Sequence, residues 1–171
     1  MSETSKRYLR LNLQEVPDNF SADSPVGSIR DFWKSLQMEE ALPHRRDIGM
    51  DRLRPWLGWV SLIDGDLASR RFRWRLIGSK ITALLGRDAT GQWFDDLYDG
   101  EVLEGYRHFF SLSLERRSPV FLAGDVEFLD KKHILFDSVH LPLVDTGPGP
   151  DLILLCADMR LASGSGNRPI L

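Results

Sequence analysis

Residues 71–78 read Arg-Phe-Arg-Trp-Arg-Leu-Ile-Gly. Phe72, Trp74 and Leu76 alternate with Arg71, Arg73 and Arg75, and a side-chain period of two belongs to a strand with one buried and one cationic face. Ser79 can then cap a short helix carrying Ile81, Leu84 and Leu85, which Gly86 is placed to end in the left-handed conformation. The polar run Gly86-Arg87-Asp88-Ala89-Thr90-Gly91 turns the chain.

Working toward the N-terminus, Asp64-Gly65-Asp66 reads as the turn before this strand, and 56–63, apolar on both faces apart from Gly58 and Ser61, as a central strand. Ser24-Pro25, an N-cap with proline at the first helical position, opens a helix predicted over 25–42, with Val26, Ile29, Trp33 and Leu36 on one face and Phe32 beside them; Pro43 ends it. In residues 1–23, Leu9, Leu11 and Leu13 alternate only briefly before Pro17, so this extension either adds an edge strand or stays mobile.

Toward the C-terminus, 87–98 suggests loop and single helical turns, with Asp95 and Asp96 as first-turn charges favoured by the helix dipole. Leu103, Tyr106, Phe110 and Leu114 recur at steps of three and four, with Val102 and Phe109 widening the stripe, which predicts a long amphipathic helix over 100–117. Val120, Leu122, Val126 and Phe128 share one face of a strand, Asp130-Lys131-Lys132 turns into a second strand over 133–144, and a Gly/Pro-rich loop leads to a last one over 152–159. The reading is one α+β domain over 24–161, with a flexible tail at 162–171, where small and polar residues bury too little apolar surface to offset their ordering.

At 171 residues, 42% apolar and 27% charged, the chain fits one ordinary globular domain. Lys plus Arg number 22 against 25 Asp plus Glu, so the net charge of -3 gives no electrostatic case for nucleic acid or an anionic membrane surface. The single cysteine, Cys156, forms no internal disulfide, and no Cys/His cluster has metal-site spacing. With no transmembrane-length run and no signal-peptide pattern, membrane insertion is not expected and the cytoplasm is the default location.

The order of two strands, a helical segment and three strands is that of the PAS fold. The run 72–78 followed by Gly86-Arg87-Asp88-Ala89-Thr90-Gly91 resembles the second strand, short helix and Gly-Arg-Asp turn common in PAS sensor domains. Arg46-Asp47-Ile48 leading to Leu53-Arg54-Pro55-Trp56-Leu57 is similar to a bacterial subgroup of short stand-alone PAS proteins. The resemblance implies a five-stranded antiparallel sheet with helices on one face between strands two and three, preceded by the N-terminal helix. It also implies a sensory or protein-interaction module with a possible ligand cavity between sheet and helices.

The side chains that would line such a cavity are Trp74, Leu76, Phe94, Tyr106, Phe110 and Phe128; the competing reading, favoured on packing grounds, is that they fill the core completely. Flavin photosensors of the family carry a reactive cysteine near the position of Ala89-Thr90-Gly91-Gln92, where this chain has no thiol, so flavin–thiol photochemistry is not expected. Haem is not expected either: His108 lies on the long helix but points away from Tyr106 and Phe110. His133 and His140, seven apart, face opposite sides of their strand and cannot share a metal, and each reads as structural or solvated. Cys156, amid Leu154, Leu155 and Ala157, reads as inert packing, and Arg71, Arg73 and Arg75 as a solvated face.

No nucleophile–base or paired-acid spacing predicts catalysis. The leading expectation is a non-enzymatic signalling module acting through protein contacts, with a small apolar ligand in the core at most and its identity and any cofactor unknown; the chain has no room for an effector domain, so a signalling partner receives the output. Ile29, Phe32, Trp33 and Leu36 are the expected interface of a homodimer built on the N-terminal helix. A haem or metabolite sensor is the alternative, and a small α+β lyase or isomerase ranks last.

Overall fold

The computed structural model describes residues 8–128 and 133–162. Within them lie strands β1 (Tyr8–Glu15), β2 (Val60–Asp66), β3 (Arg71–Leu76), β4 (Val120–Phe128), β5 (His133–Leu143) and β6 (Leu152–Leu161). The helices are α1 (Pro25–Leu36), α2 (Met50–Leu53), α3 (Ser79–Leu85), α4 (Phe94–Leu97) and α5 (Gly100–Arg116). The strands form a six-stranded sheet in the order β1-β4-β5-β6-β2-β3, with every pair antiparallel.

The expected five strands are therefore joined by a sixth. Part of the N-terminal extension supplies edge strand β1, pairing Leu11 with Val126 and Leu13 with Gly124 of β4. Residues 1–7 of that extension, the 130–132 turn and all but the first residue of the expected 162–171 tail lie outside the described residues.

Helices α3, α4 and α5, which lie between β3 and β4 in the chain, cover one face of the sheet, and α1 covers the other. Leu152, Leu154 and Cys156 of β6 pack with Val139, Leu141 and Leu143 of β5 beneath Val26, Ile29 and Trp33 of α1, while Ile153, Leu155 and Ala157 pack beneath α3, α4 and α5. A period of two sends alternate residues to opposite faces, so an unbroken apolar run such as 152–157 is required where both faces are covered.

Helix α1 starts as its sequence dictates, with the Ser24 hydroxyl accepting the Gly27 N–H at 3.0 Å and Pro25 in the first turn. It ends at Leu36, short of the expected boundary, because Gln37 is already extended. Its apolar stripe is committed to the chain's own sheet: Ile29 and Trp33 are 0% and 2% exposed, and the Trp33 indole N–H donates to the Pro142 carbonyl at 3.0 Å. This corrects the expectation that Ile29 and Trp33 form an intermolecular interface. Phe32 and Leu36 are half-buried, with Phe32 packed at 5.3 Å on Trp56.

Two local boundaries shift. Residues 54–56 form a 3₁₀ turn with Pro55 in its first turn, so the central strand begins at Val60 rather than Trp56. The strand then runs through Asp64-Gly65-Asp66, the expected turn. Arg73 fastens Asp64 across the β2–β3 pair at 2.7 Å, and a Cβ on Gly65 would crowd Leu114 and Phe72. The actual turn spans 67–70. Gly86 ends α3 at φ 78°, as expected for a left-handed cap.

Truncating Trp33 to Ala is expected to lower the unfolding free energy by about 3–5 kcal/mol, the usual range for a buried tryptophan. Urea unfolding at two protein concentrations checks this. The loss should be the same at both, whereas a concentration-dependent loss would place Trp33 between subunits.

Candidate functional site

Sheet and helices do not close completely on the α5 side. A cavity of about 50 Å³ lies there, walled by Leu11 and Leu13 of β1, Trp74 of β3, Ile81 and Leu85 of α3, and Tyr106 and Phe109 of α5. Leu122 and Val126 of β4, Phe136, Ser138 and His140 of β5, and Leu155, Ala157 and Met159 of β6 complete the wall. No Lys, Arg, Asp or Glu lines it among the described residues. The half-buried members of the wall, Leu11, Leu13, Leu85, Tyr106, Phe109 and Met159, mark its rim.

The sequence candidates divide around this space. Trp74 and Tyr106 line it. Phe94 and Phe110 lie behind the wall, with Phe94 at the hub of an aromatic cluster whose centroids sit 4.7 Å away at Trp74, 5.1 Å at Tyr106 and 5.1 Å at Phe110. Leu76 is on the other face of the sheet. The pairing slips between Leu62 and Ile63, so that Ile63 opposes Trp74 while Leu62 opposes Leu76, and Arg75 is the extra residue. A one-residue slip reverses the face, and Leu76 joins the α1 core. The Phe128 backbone pairs with Tyr8 in β4, but its side chain lies outside the described residues.

His140 was expected to be structural or solvated; it is a buried member of the cavity wall, 4% exposed, with its ring 5.0 Å from Phe110. Burial pushes its pKa down to about 4, opposed by a hydrogen bond to the Phe109 backbone carbonyl, so the imidazole is neutral near pH 7. Its Nδ1 has no hydrogen-bond partner, and neither does the indole Nε1 of Trp74, itself 4% exposed. Both atoms are enclosed by the packed core rather than open to the cavity.

The remaining polar candidates are accounted for by contacts within the chain. Arg71 lies 4.3 Å over Trp93 and 3.6 Å from Asp95, Arg73 pairs with Asp64, and Arg75 bridges Asp64 at 2.5 Å and Asp145 at 2.6 Å. The cationic stripe is thus matched by carboxylates rather than open to a partner. His133 sits on the opposite face from His140, 2.7 Å from Asp125. His108 is exposed. Cys156 packs in the α1 core, where burial pushes its thiol up to about 12 and removes nucleophilic character near neutrality. Among the described residues no three His, Cys, Asp or Glu side chains converge on a common point, and no helix is long and apolar enough to cross a membrane.

A sheet covered by α1 on one face and by α3, α4 and α5 on the other, with a small cavity lined by no charged side chain among the described residues, defines an α+β module and no particular chemistry. The chain belongs to the PAS domain family, whose model matches residues 22–155. The match takes in α1, β2 to β5 and the first four residues of β6, while β1 lies before it. No curated protein and no solved structure matches the chain significantly.

The depressed His140 pKa makes a signed prediction. The unfolded chain takes up a proton there below its ordinary value of 6.5, while the folded chain resists until about 4. Stability is therefore complete above the unfolded value and is lost as pH falls toward 4, by about 3 kcal/mol at 1.36 kcal/mol per pKa unit. Urea unfolding between pH 7 and pH 4 should show wild type losing about that much more than His140→Gln; equal losses would show that the imidazole titrates freely.

Proposed function

We propose that this PAS domain is a non-enzymatic sensor that holds a small neutral molecule in the cavity between sheet and helices and passes its occupancy to another protein through surface contacts. The observation that carries the reading is the cavity itself, a mainly apolar space whose wall carries no charged side chain among the described residues. Its walls come from β1, β3, β4, β5, β6, α3 and α5, so filling it bears on seven elements at once. Edge strand β1 contributes Leu11 and Leu13 and is tied to the sheet along one side only, through β4. Like β3, the other edge strand in the wall, it can yield more readily to a ligand than the interior strands.

Haem fits poorly, because a cavity of about 50 Å³ is a third of one that holds benzene, roughly 150 Å³, and a porphyrin is far larger. On the partner side, Met50 and Leu57 stay exposed near half-buried Phe32 and Trp56 and offer apolar surface of the kind used in protein contacts.

Xenon, which enters apolar cavities without needing hydrogen bonds, tests whether the space admits a guest. Under xenon pressure the methyl NMR signals of Leu11, Leu13, Ile81 and Leu122 should shift in wild type and stay put in Ala157→Met, which fills the space. Unmoved wild-type methyls would rule out the ligand-holding reading.

A further inference from the structure

The two edges of the sheet are finished differently. At the β3 edge the chain covers its own backbone: the Trp74 N–H donates to the Gln92 carbonyl at 3.0 Å, the Gly91 N–H donates to the Trp74 carbonyl at 2.6 Å, and Arg73 forms a bridge with Trp93. At the other edge, β1 has β4 as its one strand partner among the described residues. The Val16 N–H, directly after β1, donates to the Phe121 carbonyl at 2.9 Å and continues the register of Glu15 opposite Leu122. Backbone groups alternate in direction along an antiparallel strand, so Gln14, Asn12 and Arg10 also turn theirs toward β4. Leu11, Leu13 and Glu15 therefore direct theirs outward, and among the described residues nothing bonds to them. A row of unpaired N–H and C=O groups is a template for one more strand, and from Arg10 to Glu15 neither a proline nor a bulge blunts it.

We propose that β1 is the interface of a homodimer, in which it pairs antiparallel with β1 of a second copy and joins the two sheets into one. The strand is complementary to itself. With the two-fold axis at Asn12, Leu11 stands opposite the partner's Leu13 and Leu13 opposite the partner's Leu11; all are outward-directed positions, so each pair exchanges both backbone hydrogen bonds. On the α5 side of the sheet these are leucine–leucine pairs, and they cover two side chains that the single chain leaves half-exposed at the cavity rim. On the other side Asn12 meets the partner's Asn12 and Arg10 meets the partner's Gln14, so no like charges are opposed. Each Asn12 commits one N–H to its own Asp125 at 3.0 Å and keeps the rest of its amide for the symmetry mate. The pairing does not depend on a guest in the cavity, and it leaves α1, already covered by the chain's own sheet, outside the contact.

Sedimentation equilibrium and amide hydrogen exchange on the full chain test this together. Wild type should have twice the chain mass at high concentration. In that dimer the Leu11 and Leu13 amides should be protected, and they should lose the protection in the monomer, reached by dilution or by Leu13→Pro. The Asn12 and Gln14 amides, bonded to β4, should stay protected in both states. Leu13→Pro removes an outward N–H and leaves the β1–β4 bonds in place, a position at which an edge strand tolerates proline, so it should be a folded monomer. Should that variant not fold, the wild-type exchange pattern decides. A wild type that is monomeric at every concentration overturns the proposal, and so does a dimer whose Leu11 and Leu13 amides exchange freely, which puts the contact elsewhere. Protection of these two amides that persists in the monomer overturns it as well, because another part of the same chain then covers the edge.

Discussion

Strand β6 lies in the interior of the sheet with side chains buried in both directions, and the rest of the molecule is arranged to make that possible. Leu152, Leu154 and Cys156 need a cover on one side, and Ile153, Leu155 and Ala157 on the other. Helix α1 supplies the first through Val26, Ile29 and Trp33, and the α3–α5 layer supplies the second through an aromatic cluster centred on Phe94. Burial at roughly 25 cal/mol per Å² of apolar surface favours closing both layers tightly. On the α3–α5 side the packing against β4, β5 and β6 leaves the cavity.

Incomplete closure follows from shape. Phe72, Phe94 and Phe110 fill the β3 end of the helical layer, where β3 meets α4. At the β4 and β5 end the facing side chains include small ones, Ser138 and Ala157, and the outer wall is edge strand β1. Space therefore collects between the sheet and the α3 and α5 side chains Ile81, Leu85, Tyr106 and Phe109. The wall combines a neutral imidazole, an indole, the Tyr106 and Ser138 side chains and otherwise apolar surface, with no charged group among the described residues.

Much of this was legible in the sequence. The alternation over 71–76, the Ser24-Pro25 start, the Gly86 stop and the α5 stripe each rest on local periodicity or capping, and each marks an element that forms. The family was legible for the same reason, through a strand, a short helix and a turn that are contiguous in the chain. What was missed depends on long-range pairing. The slip that turns Leu76 to the α1 side arises between β2 and β3 and leaves no trace in the alternation of β3 alone. The amphipathic stripe of α1 shows that Ile29 and Trp33 are buried, but not that the covering surface belongs to the same chain. His140 could be assigned a face by parity, while its role depends on how far α5 and α3 stand from that face. Leu11 and Leu13 carried a signal in their alternation with polar neighbours, too short to separate an edge strand from a mobile segment.

The central claim is that the space between Trp74 and His140 is a place for a molecule rather than a packing defect. Native mass spectrometry of the protein isolated gently from the cells that make it tests this most directly. The account predicts a subunit heavier than the bare chain by one small neutral compound, with that extra mass absent from Ala157→Met made in the same cells. Bare-chain mass in both proteins would contradict it.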